Sequence, residues 1–111
     1  MPKYIEVRST TNSEQEADRI CAAVINSLLA ACAQVAGPIR STYWWHGKIE
    51  RADEYLIMMK TTHDMFDDIA RVIRENHSYE VPDIVAVSIA DGLADYLGWI
   101  SAETRAAGES A

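Results

Sequence analysis

The side chains best suited to metal chemistry in this sequence are two cysteines, Cys21 and Cys32, and three histidines, His46, His63 and His77. Cys32 stands out because it falls where a helical pattern ends and a strand pattern begins, a junction whose side chains can face a cleft. As a thiolate it is a soft ligand suited to copper, mercury or zinc. The competing reading is a small buried hydrophobe, the usual role of a free cysteine. Cys21 lies within an apolar helical stripe and reads as core. On one unbroken helix the two sulfurs would be roughly 16 Å apart along the axis, whereas a disulfide needs α-carbons within about 7 Å. Both therefore read as reduced thiols, which suits a cytoplasmic protein.

The remaining candidates narrow the chemistry further. No two histidines are close in sequence, and there is no Cys-x-x-Cys or His-x-x-x-His pair, so a zinc site of local spacing is excluded. Any metal site must be assembled in space, within or between subunits. His46 reads as a turn residue and His63 as a surface residue of a first helical turn. Met58 and Met59 are thioethers, but neighbouring strand residues face opposite sides, so they read as core. A nucleophile elbow, a phosphate loop and a dinucleotide fingerprint are all missing. Asp67-Asp68 lacks the alternating ligands of an EF-hand. No acid–base or nucleophile pair can be named, so the expectation is a protein that is not an enzyme and carries no organic cofactor.

The elements that must position these residues follow from periodicity. Tyr4 to Arg8 alternates as a half-buried strand. Ser13 with Glu16 three residues later forms a capping box, and Ile20, Cys21, Val24 and Leu28 continue it as a helix expected over Glu14 to Ala31, before Gly37-Pro38. Ile39 to Lys60 is aromatic and β-branched, a long hairpin turning at His46-Gly47-Lys48. Arg51 to Glu54 is polar enough to be an exposed bulge. Met65, Phe66, Ile69, Val72 and Ile73 mark a second amphipathic helix. Ile84 to Ile89 reads as the last strand, and Leu93, Tyr96, Leu97 and Ile100 as a short helix with Trp99 beside them.

That order, βαββαβ plus a terminal helix, predicts a ferredoxin-like α+β sandwich formed by one domain over residues 1–102, with 103–111 a flexible tail. A hairpin strand of about 14 residues is roughly 46 Å long at 3.3 Å per residue, while a domain of this size is only about 34 Å across. Its tip, carrying Tyr43, Trp44 and Trp45, should project and need a partner to cover it. The chain has 111 residues, a net charge of −7 and a pI near 4.8, which disfavours nucleic acid and anionic membranes as partners. No stretch approaches the roughly 20 apolar residues of a membrane span, and the N-terminus has no secretory pattern.

Several separate motifs then resemble one family. Leu28-Leu29-Ala30-Ala31-Cys32, Ser41 to Glu50, Lys60-Thr61, His77-Ser78-Tyr79, Pro82 and Asp95 to Ile100 are similar, in order and spacing, to the CutA divalent-cation-tolerance proteins. The resemblance implies a cytosolic homotrimer akin to the nitrogen-regulatory PII proteins, its hairpins extending neighbouring sheets, with a link to copper and other divalent cations. It puts Tyr43, Trp44 and Trp45 at the trimer seams, makes Cys32 and His77 candidate metal ligands, and makes Lys60, Glu54 and Tyr79 candidates for an intersubunit cleft. His77 can instead simply oppose a helix dipole. Two departures stand out: Ser78 replaces the family's usual proline, and Arg8-Ser9-Thr10 lacks the cysteine often found there. Three functions are compatible: metal binding at subunit boundaries, PII-like sensing of a small molecule, and a trimeric scaffold for another protein.

Overall fold

The computed structural model describes residues 3–106. Strand β1 (Tyr4–Thr11) leads into helix α1 (Glu14–Asn26), followed by strands β2 (Cys32–Trp45) and β3 (Lys48–Thr62). A 3₁₀ turn (His63–Met65) opens helix α2 (Phe66–Asn76); strand β4 (Ile84–Ser88) and helix α3 (Ala94–Glu103) complete the order. The sheet runs β2-β3-β1-β4 with every pair antiparallel, the ferredoxin-like arrangement expected.

Period-two alternation sorts β1 and β3 into two faces. Ile5, Val7, Ile57 and Met59 are buried against Ala17, Ile20 and Val24 of α1 and Ile69, Val72 and Ile73 of α2. Each such aliphatic side chain contributes roughly 1.5–3 kcal/mol on burial, so this face dominates the stability. Glu6, Arg8 and Lys60 lie on the other face, over one end of which α3 is placed. There Ile100 is buried and Tyr4 and Ser101 share a hydroxyl hydrogen bond of 2.6 Å.

Helix α1 starts as its capping box requires, with Ser13 accepting the Glu16 amide at 3.1 Å. Its end differs from the expectation of Ala31: the helix stops at Asn26. Leu28 takes φ 59°, its amide bonds to Ile25 and that of Leu29 to Val24, a Schellman closure with leucine where glycine is usual. Leu29 and Val24 are both buried in the one core cluster, so burial rather than a glycine fixes the closure. This early stop frees Cys32 to begin β2.

Gly37-Pro38 lies inside β2 rather than ahead of it. The register shifts there, between Ala36 opposite Leu56 and Ile39 opposite Glu54, so the bulge is on β2. Arg51 to Glu54, expected to bulge, pair regularly with β2. A Cβ on Gly37 would sit 2.7 Å from Tyr55 Cδ2 and 3.0 Å from the Glu54 carbonyl, which explains glycine at this crossing. His46 and Gly47 both have positive φ, 48° and 77°, giving the two-residue I′ turn that suits strand twist.

Strand β1 pairs with β3 only as far as Tyr55, so among the described residues the hairpin from Ile39 to Glu54 has no third strand beside it. The described residues accordingly measure 44 × 28 × 21 Å. Within the span expected to be a tail, Arg105 makes two contacts with the body of the fold. The Arg105 amide donates to the Leu28 carbonyl at 2.8 Å and its guanidinium to Asp68 at 3.3 Å. Residues 107–111 of that expected tail lie outside the described residues.

Candidate functional site

The open face of the sheet carries two clefts, one at each end of β1. The first, about 280 Å³, lies between the sheet and α3 and is lined by Arg8, Lys60, Ser88, Asp91, Tyr96 and others. Cys32 stands at its edge, directly across from Lys60, which in turn pairs with Glu6. The Cys32 sulfur is 3.9 Å from the Tyr96 hydroxyl, a long sulfur–oxygen hydrogen bond. Partial burial, followed by the bond to Cys32, raises the Tyr96 phenol above its ordinary range. Lys60 donates to Gln34 Oε1 at 3.0 Å and lies 3.7 Å from Glu6, while Arg8 Nε meets the same carboxylate at 2.6 Å. The carboxylate nearest to Cys32 along this row is therefore already held by two cations. Among the described residues no three His, Cys, Asp or Glu side chains converge as a ligand set.

The second cleft, about 1150 Å³, opens between the hairpin and the connector joining α2 to β4. Tyr43, Trp45, His46, Glu50, Glu54, Tyr79, Glu80 and Asp83 are among the residues that line it. Glu54 is buried and accepts the Tyr79 hydroxyl at 2.8 Å. Burial and this carboxylate together hold the Tyr79 phenol far above its ordinary range.

Behind the connector is a buried polar row. Glu16 receives the hydroxyls of Thr11 and Ser78, the latter at 3.2 Å, and lies 3.5 Å from His77 Nδ1. Burial alone would raise the Glu16 carboxyl, but the bonds from Thr11 and Ser78 and the nearby His77 outweigh it and hold it below its ordinary range. The His77 side chain is fully buried. Its Nε2–H donates to the Thr10 carbonyl at 2.7 Å and its Nδ1 accepts the Tyr79 amide at 3.0 Å. These two bonds assign the neutral Nε2–H tautomer.

The candidate residues thus divide between the two ends. Cys32 and Lys60 are at the first cleft, and Glu54 and Tyr79 at the second, with His77 behind it. Thr10, which holds His77, is four residues along β1 from Glu6, or roughly 13 Å. Cys32 and His77 do not converge within one chain, and both nitrogens of His77 are already engaged. Tyr43, Trp44 and Trp45 lie exposed on the hairpin, Trp44 at 72%. Sequence reasoning assigned no site role to Glu16 or Tyr96. Glu16 was legible only as half of a capping box, and its carboxylate leaves the helix end for Thr11. Tyr96 was legible only as part of an apolar stripe and of the Asp95 to Ile100 motif, with no role attached.

The geometry has close counterparts. Residues 5–103 match the family described as CutA1 divalent ion tolerance protein. A CutA 1 protein of Oryza sativa subsp. japonica, named as chloroplastic, is 34% identical over 101 residues, covering 91% of this chain but only 57% of its own length. The divalent-cation tolerance protein CutA of Archaeoglobus fulgidus is 40% identical over 91 residues, 82% of this chain and 88% of that protein. A crystal structure of CutA1 from Oryza sativa superposes with a TM-score of 0.90 at 33% identity, covering 93% of this chain and 94% of that one.

Proposed function

Because this chain belongs to the CutA1 divalent ion tolerance family, we propose that it acts in divalent-cation tolerance as a cytosolic homotrimer holding a soft cation, copper foremost, at Cys32 near a subunit boundary. The observation that carries the metal reading is the position of Cys32. Its thiol is half-buried beside the Tyr96 phenol at a cleft edge. A thiolate favours Cu(I) over hard cations, and a second copy would have to complete the coordination. His77 is left out of this ligand set, since it would first have to give up Thr10 or Tyr79.

The trimer is favoured by the hairpin. Its outer half leaves strand edges open and exposes Trp44, Trp45, Ile49 and Tyr43, surfaces that need covering by like surfaces on other copies. The relatives are named for tolerance and not for a reaction, in keeping with a binding role. Titration of Cu(I) into the wild-type chain and Cys32→Ser tests the metal site. Binding should fall at least tenfold in the variant, and equal affinity and stoichiometry in both would remove Cys32 as the ligand.

A second reading, PII-like sensing of a small molecule, is favoured by the larger cleft, where the Glu54–Tyr79 pair faces open volume. Lys60 would serve the same role in the smaller cleft. A thermal-shift screen of metabolites against wild type and Tyr79→Phe tests it, and no hit on the wild type would count against it.

A further inference from the structure

We propose that the His77–Glu16 pair is a pH-sensitive latch for the connector that walls the larger cleft, closed when His77 is neutral and released when it is protonated. This inference is independent of the metal reading. In the closed state Nδ1 has its lone pair on the Tyr79 amide, 3.0 Å away. A proton added to Nδ1 turns that acceptor into a donor, so the imidazolium and the Tyr79 N–H would face one another as two donors. The Glu16 Oε2, at 3.5 Å from the same nitrogen, is the acceptor to which Nδ1–H can turn. Because Nε2–H stays on Thr10, the ring pivots rather than leaves.

Releasing the Tyr79 amide loosens the link it serves. Tyr79 is the connector's hold on the hairpin root, through its 2.8 Å bond to Glu54. Its ring also packs on His77, with centroids 4.7 Å apart. One proton on a buried ring is thereby coupled to the wall of a cleft of about 1150 Å³.

The charges that face the switch come from every element around it. Helix α1 presents Glu16, itself 3.5 Å from Arg19, whose guanidinium also donates to the Asn76 carbonyl at the end of α2. From β1, Thr10 presents its carbonyl to the ring, and its own amide and hydroxyl bond to Asp83 ahead of β4. β3 presents Glu54 through the Tyr79 phenol.

The test is ¹⁵N NMR of the whole protein from pH 8 to pH 5, the range in which histidines titrate. The imidazole nitrogens of His77 are followed together with amide exchange at Tyr79, corrected for intrinsic pH dependence. At pH 8 the Nε2–H tautomer should be present. As the ring is protonated, Tyr79 exchange should accelerate at least tenfold, while amides in α1 keep their protection. Glu16→Gln should weaken that step, because the amide is a poorer acceptor than a carboxylate. An Nδ1–H tautomer at pH 8, or Tyr79 protection that stays flat as the ring titrates, would overturn the latch. So would a ring that stays neutral down to pH 5. Should Glu16→Gln not fold, the wild-type titration alone decides. Tyr79→Phe, which keeps the amide but not the Glu54 bond, should retain the exchange step.

Discussion

The two ends of the open sheet face solve opposite problems. Beside Cys32 the charged groups satisfy one another: Glu6 sits between Arg8 and Lys60, α3 closes over them, and the cleft is small. Beside Tyr79 the cleft is about four times larger, and it is lined by aromatic rings and by four carboxylates, Glu50, Glu54, Glu80 and Asp83. Its polar order is kept behind the wall, in the row from Thr11 through Glu16 to His77. At the first end the charges are paired and one half-buried thiol, Cys32, stands at the edge. The second exposes aromatic rings, and its polar order is supplied from the helical side.

If the second end depends on a precise hairpin root, Gly37→Ala should give the largest effect. The added Cβ meets Tyr55 and the Glu54 backbone below ordinary contact distance, which points to a loss of about 3 kcal/mol in denaturant unfolding. A loss under about 0.5 kcal/mol would mean that the crossing can spread freely.

The next test concerns acid. Glu16 is held below its ordinary value near 4.5 in the fold, so its stabilisation is present above that pH and disappears as pH falls through the folded value. Thermal melts between pH 6 and 3 should show a steeper decline for wild type than for Glu16→Gln. Parallel curves would place the acid sensitivity elsewhere. Tyr79→Phe removes the phenol from a buried carboxylate and should cost about 1–2 kcal/mol, without touching the Cys32 end.

The smallest effect separates the two thiols without perturbing the fold. Burial, with Asp18 nearby, pushes the Cys21 thiol up to about 11. At pH 8 only about one thousandth of it is thiolate. Iodoacetamide should modify the folded Cys32→Ser variant far more slowly than the same variant in denaturant. Equal rates would show that Cys21 is not held in the core.

Much of this was legible in the sequence, for identifiable reasons. The apolar periods of α1 and α2 and the alternation in β1 reflect a single large driving force, burial against one sheet face; they place Ile20, Val24, Ile69, Val72 and Ile73 in the core, whereas Leu28 of the expected α1 stripe is exposed. The His46-Gly47 turn was legible because positive φ at both positions strongly favours such residues. Other features depend on contacts remote in sequence. The end of α1 is closed beyond Asn26 by the Leu28 and Leu29 amides on Ile25 and Val24 and anchored by Arg105, so no glycine marks it. The bulge at Gly37 is set by Tyr55 across the sheet, whereas the polar run Arg51 to Glu54 suggested the wrong strand. The separation of His77, held at the end of α2 against Thr10, from Cys32 at the start of β2 follows from the tertiary fold, which motif spacing along the chain does not encode.

The central claim is a trimer that binds a soft cation through Cys32, and native mass spectrometry with and without Cu(I) tests it most directly. The account predicts a trimeric mass that gains copper in the wild type and a trimeric mass that gains none in Cys32→Ser. A monomer at micromolar concentration, or the same copper count in both proteins, would contradict it.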